Sequence, residues 1–110
     1  MKSNVTALIL CGGRGERLRP LTESTPKPLV CINSRPILSY LLDHIKSYEI
    51  SDVVVATGYL SDKIKEFFES SYTELNVKIV NSGDADILER INSCVPYIEG
   101  DFIVFYGDTL

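Results

Sequence analysis

Val5-Thr6-Ala7-Leu8-Ile9-Leu10, followed by Cys11-Gly12-Gly13, decides how this chain folds. The run is apolar almost without interruption, has the length of a strand and stops at a glycine pair. That is the pattern of a strand buried on both faces of a parallel sheet, not of one alternating between core and water. Such a strand needs other strands beside it and helices above and below, and the rest of the sequence supplies them. Pro36 can open a helix at its first turn, and Ile37, Leu38, Leu41, Leu42 and Ile45 recur at helical spacing up to about Tyr48. Asp52-Val53-Val54-Val55-Ala56-Thr57 is a β-branched strand that stops at Gly58. Ser61 can cap a helix whose Ile64, Phe67 and Phe68 share a face. Val77-Lys78-Ile79-Val80 reads as a short strand, Ala85 to about Val95 as a helix ended by Pro96, and Phe102-Ile103-Val104-Phe105-Tyr106 as a strand ended by Gly107.

The resulting order, β-loop-α-β-α-β-α-β, predicts an α/β fold. It is a mainly parallel, doubly wound, Rossmann-like sheet with helices on both faces and right-handed crossovers. Ligands of such sheets sit at the C-terminal ends of the strands. Three segments are expected to converge there: the glycine-rich loop after the first strand, Gly58-Tyr59, and Gly107-Asp108. No internal repeat, low-complexity tract or linker interrupts the chain.

Composition narrows the function. The 110 residues, 45% hydrophobic and 24% charged, suit one globular domain and exclude disorder. No apolar run approaches the roughly 18 residues of a membrane span, and no signal-like N-terminus is evident, so a cytoplasmic protein without membrane partners is the expectation. Cys11, Cys31 and Cys94 are widely spaced and accompanied by one histidine, His44, which speaks against disulfide and zinc frameworks. A net charge of −4 argues against nucleic-acid binding. The charge is unevenly spread: residues 1–35 carry six basic and two acidic side chains, and residues 36–110 carry five basic and thirteen acidic. A small anionic ligand near the N-terminus fits that asymmetry.

The segment from Gly12 to Pro28 holds three glycines, three prolines and most of the basic excess, as a long functional loop with a turn of helix would. Gly12-Gly13-Arg14-Gly15-Glu16-Arg17-Leu18 offers unshielded backbone amides followed by guanidinium groups, which suits the oxygens of a phosphate chain. It is not a Walker A loop, since no Gly-Lys-Ser/Thr closes it. Its partial G-x-G-x-x-G has Leu18 in place of the third glycine. The second strand ends in Thr57-Gly58 without the acidic residue that grips a ribose, so a nicotinamide-dependent dehydrogenase is disfavoured.

Gly12-Gly13-Arg14-Gly15-Glu16-Arg17-Leu18-Arg19-Pro20-Leu21-Thr22, then Thr25-Pro26-Lys27-Pro28-Leu29-Val30, resembles the signature G-G-x-G-T-R-L-x-P-L-T followed by P-K-P-L of the sugar-phosphate nucleotidyltransferases, also called nucleotide-sugar pyrophosphorylases. The likeness continues through Gly58-Tyr59-Leu60 and Tyr106-Gly107-Asp108. It implies the nucleotide-diphospho-sugar transferase fold, with a nucleoside triphosphate and a sugar 1-phosphate as partners and Mg²⁺ as cofactor. Carried over by residue, the resemblance implies that Leu10 and Cys11 lie beside the base and that Gly12, Gly13 and Gly15 wrap the triphosphate. Arg17 would face the departing pyrophosphate, Lys27 would contact the phosphates at the reacting centre, and Asp108 would be the first of two metal aspartates. These roles make independent physical sense: a phosphate nucleophile is already anionic and needs no general base, which leaves positioning and charge neutralisation.

The pattern departs in places. Glu16 stands where the resemblance has threonine, and is expected to face solvent or pair with an arginine; Cys11, where alanine is common, is expected to be a small core residue. Asn81-Ser82-Gly83-Asp84-Ala85-Asp86-Ile87-Leu88-Glu89-Arg90-Ile91 occupies the place of a base-reading segment without its Thr-Gly or Gly-Thr. With Arg90-Ile91 it is nearest to glucose-1-phosphate cytidylyltransferases, whereas Ala56 to Leu60 is nearer to mannose-1-phosphate guanylyltransferases, so base and sugar stay open. His44 is expected to be a partly buried structural residue, Tyr59 and the other Tyr and Phe mostly core, and Asp62, Glu66 and Glu69 a solvated helix face. Family catalytic domains are about twice this length. Residues 1–110 therefore read as the N-terminal nucleotide-binding portion of a truncated nucleotidyltransferase domain, whose open sheet edge invites pairing with another chain such as a homo-oligomer partner. A non-catalytic nucleotide-binding or regulatory module, or an inactive fragment, is the alternative reading.

Overall fold

The computed structural model describes residues 5–13 and 19–107. Four strands form one parallel sheet: β1 (Thr6–Leu10), β4 (Asp52–Thr57), β5 (Asn76–Asn81) and β6 (Phe102–Tyr106), in the order β5-β4-β1-β6. Three helices connect them: α1 (Ile37–Ser47), α2 (Ser61–Ser70) and α3 (Ile87–Cys94). A small antiparallel hairpin, β2 (Cys31–Ile32) and β3 (Arg35–Pro36), precedes α1.

The order explains the layering. From β1 the chain steps outward through β4 to β5, then returns past β1 to lay β6 on its other side. A reversal of direction under one handedness of crossover moves the connecting helix to the opposite face. One face accordingly packs Ala7, Ile9, Val53 and Val55 against Leu38, Leu42 and Ile45 of α1 and Ile64 and Phe68 of α2. The other packs Leu8, Leu10, Val54 and Ala56 against Ile91 and Cys94 of α3. All five residues of β1 are buried, as its unbroken apolar run requires. Each large apolar side chain so buried contributes about 1.5–3 kcal/mol.

The expected elements are present, with local differences. Ser61 does not cap α2: the N-cap is Leu60 in a left-handed conformation (φ 53°), and the Ser61 hydroxyl is instead 2.6 Å from Thr57 Oγ1. Helix α3 begins at Ile87, not Ala85, because Asp86 Oδ1 accepts from the Glu89 amide at 2.9 Å and fixes the cap there. Pro96 lies in a 3₁₀ turn, Val95–Tyr97, that continues from the helix. Two more 3₁₀ turns, Leu21–Glu23 and Lys27–Leu29, fall in the long loop. The hairpin was not expected from sequence. Its turn residues Asn33 and Ser34 both have positive φ (53° and 67°), and Asn-Ser lacks the glycine that usually announces such a turn. His44 is exposed, not partly buried, with its ring set edge-on to Tyr48. Nor are the aromatic residues mostly core: Tyr48, Tyr97, Phe102 and Tyr106 are exposed, the last two because β6 is an edge strand. Asp62, Glu66 and Glu69 are exposed as expected. No described helix is long and apolar enough to cross a membrane.

Candidate functional site

The direction reversal beside β1 opens a crevice at the C-terminal ends of β1 and β6, where this class of sheet binds ligands. Backbone hydrogen bonds lace the strand ends together. The Cys11 amide donates to Ala56 O (2.8 Å), Gly107 N to Leu10 O (3.0 Å), Tyr59 N to Gly12 O (3.4 Å) and Ser82 N to Thr57 O (3.0 Å). The expected convergence of Gly12-Gly13, Gly58-Tyr59 and Gly107 is therefore present, and the end of β5 joins it.

A cavity of about 560 Å³ lies in this crevice, lined by Leu10, Gly12, Gly13, Arg90, Tyr106 and the Ala85–Leu88 stretch that opens α3. Leu88, Tyr106 and Ile87 are 73%, 52% and 50% exposed. Apolar side chains gathered at a concave site with a few polar groups are what a small-molecule pocket presents.

Arg90 is the residue that reading the sequence for roles passed over. It lies on the inner face of α3, one turn before buried Cys94, and is itself buried. Its Nη1 donates to Thr57 O (3.2 Å) and Ser82 Oγ (3.5 Å), and its Nη2 donates to Ala85 O (2.8 Å). The available signal was a basic side chain on the apolar stripe of an amphipathic helix, where a guanidinium must find acceptors. Burial pushes the Cys94 thiol up, and the Arg90 charge works against that shift.

Among the residues singled out from sequence, Leu10, Gly12 and Gly13 line the cavity. Cys11 does not: its side chain is buried in the core on the α1 and α2 side, the small core residue expected of it. Lys27 is half-buried in its 3₁₀ turn between buried Pro26 and Pro28, packed against α1, and is not among the cavity's lining residues. Gly15, Glu16, Arg17 and Asp108 lie outside the described residues. Among the described residues no cluster of three metal-ligating side chains occurs. Tyr59, left without a role by its sequence context, is half-buried, and its hydroxyl donates to Thr22 O (2.6 Å) and Glu23 O (3.3 Å) in the long loop.

A parallel sheet with a glycine-lined crevice at its point of reversal defines a doubly wound α/β protein, a class whose ligands sit at the strand ends. The nucleotidyl transferase family model matches residues 6–103, and the chain belongs to that family. It is 33% identical over 106 residues to the D-glycero-alpha-D-manno-heptose 1-phosphate guanylyltransferase of Campylobacter jejuni, with 94% of this chain and 47% of the relative covered. It is 31% identical over 105 residues to the bifunctional protein GlmU of Methanocaldococcus jannaschii, with 94% of this chain and 25% of the relative covered. Among solved structures it is similar to HddC from Yersinia pseudotuberculosis complexed with GMP-PN. The TM-score is 0.81 at 26% identity, over 94% of this chain and 48% of that one. The chain thus spans about half, or less, of the length of these relatives.

Proposed function

We propose that this chain forms the nucleotide-binding part of an enzyme that transfers a nucleoside monophosphate from a nucleoside triphosphate to a sugar 1-phosphate. An oxygen of the sugar phosphate attacks the α-phosphorus in line. The new P–O bond forms as the bond to the bridging oxygen breaks, and pyrophosphate leaves with the electron pair. The cavity carries this reading: its apolar rim of Leu10, Ile87, Leu88 and Tyr106 suits a planar base, and its Gly12-Gly13 backbone leads in sequence into Arg14, Arg17 and Arg19.

In this reading Leu10 and the Cys11 backbone flank the base, and Gly12, Gly13 and Gly15 follow the triphosphate. Arg17 neutralises the leaving pyrophosphate, and Lys27 neutralises the reacting phosphates. The nucleophile carries its own charge, so no side chain need remove a proton. Gly107 N is bonded to Leu10 O, Asp108 follows it in sequence, and a carboxylate is the ligand type that suits a hard cation shared with substrate phosphates. Mg²⁺ held by Asp108 would supply charge neutralisation on the phosphates when bound. Substrates of this kind are cytoplasmic metabolites.

Thermal unfolding of the protein with ATP, GTP, CTP or UTP and Mg²⁺ tests the reading, because a ligand that binds only the folded state stabilises it by about 2.7 kcal/mol at a hundred times its Kd. Stabilisation by a triphosphate, followed by pyrophosphate release on adding sugar 1-phosphates, is expected. Stabilisation without release would identify a nucleotide-binding module instead, and no stabilisation by any of the four would refute the site.

A further inference from the structure

We propose that Arg90 is a positioning residue for this nucleotide cleft, and that position 12 is glycine because its guanidinium occupies the space a side chain there would need. The inference rests on the cleft being a nucleotide site and deepens that reading. A Cβ built on Gly12 would fall 1.7 Å from Arg90 Nη1 and 2.1 Å from its Cζ; one built on Gly58 would fall 2.6 Å from Nη1 and 2.2 Å from the Gly83 carbonyl oxygen. A Cβ at position 12 would therefore displace the guanidinium from its place, whereas at position 58 the Gly83 backbone carbonyl bars a side chain on its own. Gly13 is different: among the described residues nothing lies within 4 Å of its Cβ position.

The three acceptors of the guanidinium belong to three separate segments: Thr57 at the end of β4, Ser82 just past β5, and Ala85 just before α3. With its flat face against Gly12 beyond β1, one side chain fixes the relative placement of three strand ends and the start of the helix whose first turn lines the cavity. All three of these acceptors are neutral oxygens. A planar fork with several donors can bind diverging acceptors in this way, whereas a lysine ammonium can satisfy only a subset of them.

The test is a double-mutant cycle on the full chain with Gly12→Ala, Arg90→Ala and their combination, plus Arg90→Lys, which keeps the charge and loses the fork. Affinity is titrated with whichever of ATP, GTP, CTP and UTP binds the wild type tightest, and the midpoint of thermal unfolding is recorded without nucleotide. Gly12→Ala is expected to weaken binding about a hundredfold and Arg90→Lys about tenfold, as misplacements of the order of 1 Å do. With Arg90→Ala already present, Gly12→Ala should cost less than about threefold more. The proposal is overturned if Arg90→Lys lowers only the unfolding midpoint and leaves affinity intact, or if Gly12→Ala costs the same factor in both backgrounds. Should Arg90→Ala fail to fold, Arg90→Lys alone decides: weakened affinity supports the role and wild-type affinity overturns it. A wild type that binds none of the four triphosphates refutes the nucleotide reading itself, and this inference with it; a wild type that binds while the cycle is additive refutes this inference alone.

Discussion

The Tyr59 hydroxyl donates to the carbonyl oxygen of Thr22 at 2.6 Å, across 37 residues of sequence, while the Tyr59 amide donates to the carbonyl of Gly12. One residue just past β4 therefore holds both flanks of the glycine-rich loop. Thr22 is buried, so its carbonyl has little water to fall back on. Tyr59→Phe removes the hydroxyl and keeps the ring. Losing that bond to a buried carbonyl should cost about 1–3 kcal/mol in urea unfolding and weaken triphosphate binding as the loop loosens. Unchanged stability and affinity would mean that the loop is held by other contacts.

Lys27 is presented by a short 3₁₀ turn whose two prolines are buried and whose Leu29 packs on the α1-side core. A turn anchored on both sides of one half-buried lysine keeps that side chain's base fixed. Lys27→Ala should lower nucleotidyl transfer by roughly a hundredfold or more, as loss of a charge-stabilising group does, with little change in the unfolding midpoint. Steady-state pyrophosphate release measures it, and wild-type turnover would remove Lys27 from the reaction.

Secondary structure was legible wherever one physical cause dominated. The apolar run of β1 and the helical stripe of α1 each had a single way to be buried, and both lie where the pattern puts them. The antiparallel hairpin was illegible because Asn33 and Ser34 adopt positive φ without glycine. Helix starts were misjudged where a neighbour competed for the cap: Ser61 turns to Thr57, and Asp86 takes the cap of α3. The glycine loop announced a ligand, but which atoms press on each glycine is a tertiary fact. Arg90 approaches Gly12 from 78 residues further along the chain, and no local spacing encodes that contact.

The three cysteines differ in access. Cys31 is exposed on the hairpin, whereas Cys11 and Cys94 are 2% and 0% exposed in the two core layers. Burial also pushes the Cys94 thiol up, so less of it is thiolate at neutral pH. A thiol-specific reagent should label Cys31 alone in the folded protein and all three cysteines in denaturant. Mass spectrometry of the labelled peptides gives the count, and rapid native labelling of Cys94 would contradict the packing of α3 on the sheet.

Asp43 ties three elements together: Tyr72, between α2 and β5, donates to its Oδ1 at 2.8 Å, and Arg35 of the hairpin pairs with its Oδ2. The Tyr72 hydrogen bond first, and the Arg35 bond after it, hold the carboxyl below the usual carboxylate range. A carboxyl whose folded pKa is depressed stabilises the fold above its unfolded pKa, near 4, and that contribution disappears as pH falls through the folded value. Tyr72 has the opposite sense. Burial, then the bond to Asp43, raises its pKa, so its contribution holds below about pH 10 and is lost as pH rises further. Asp43→Asn should therefore be less stable than the wild type at pH 7, and the gap in urea midpoint should shrink as pH falls below the unfolded value, near 4, and the wild-type carboxyl protonates. Glu74, held low by Lys46, will still give both proteins some acid sensitivity, so the difference between them is the quantity to follow. A gap that stays as wide throughout acid titration as at pH 7 would show that Asp43 acts through its shape and not its charge.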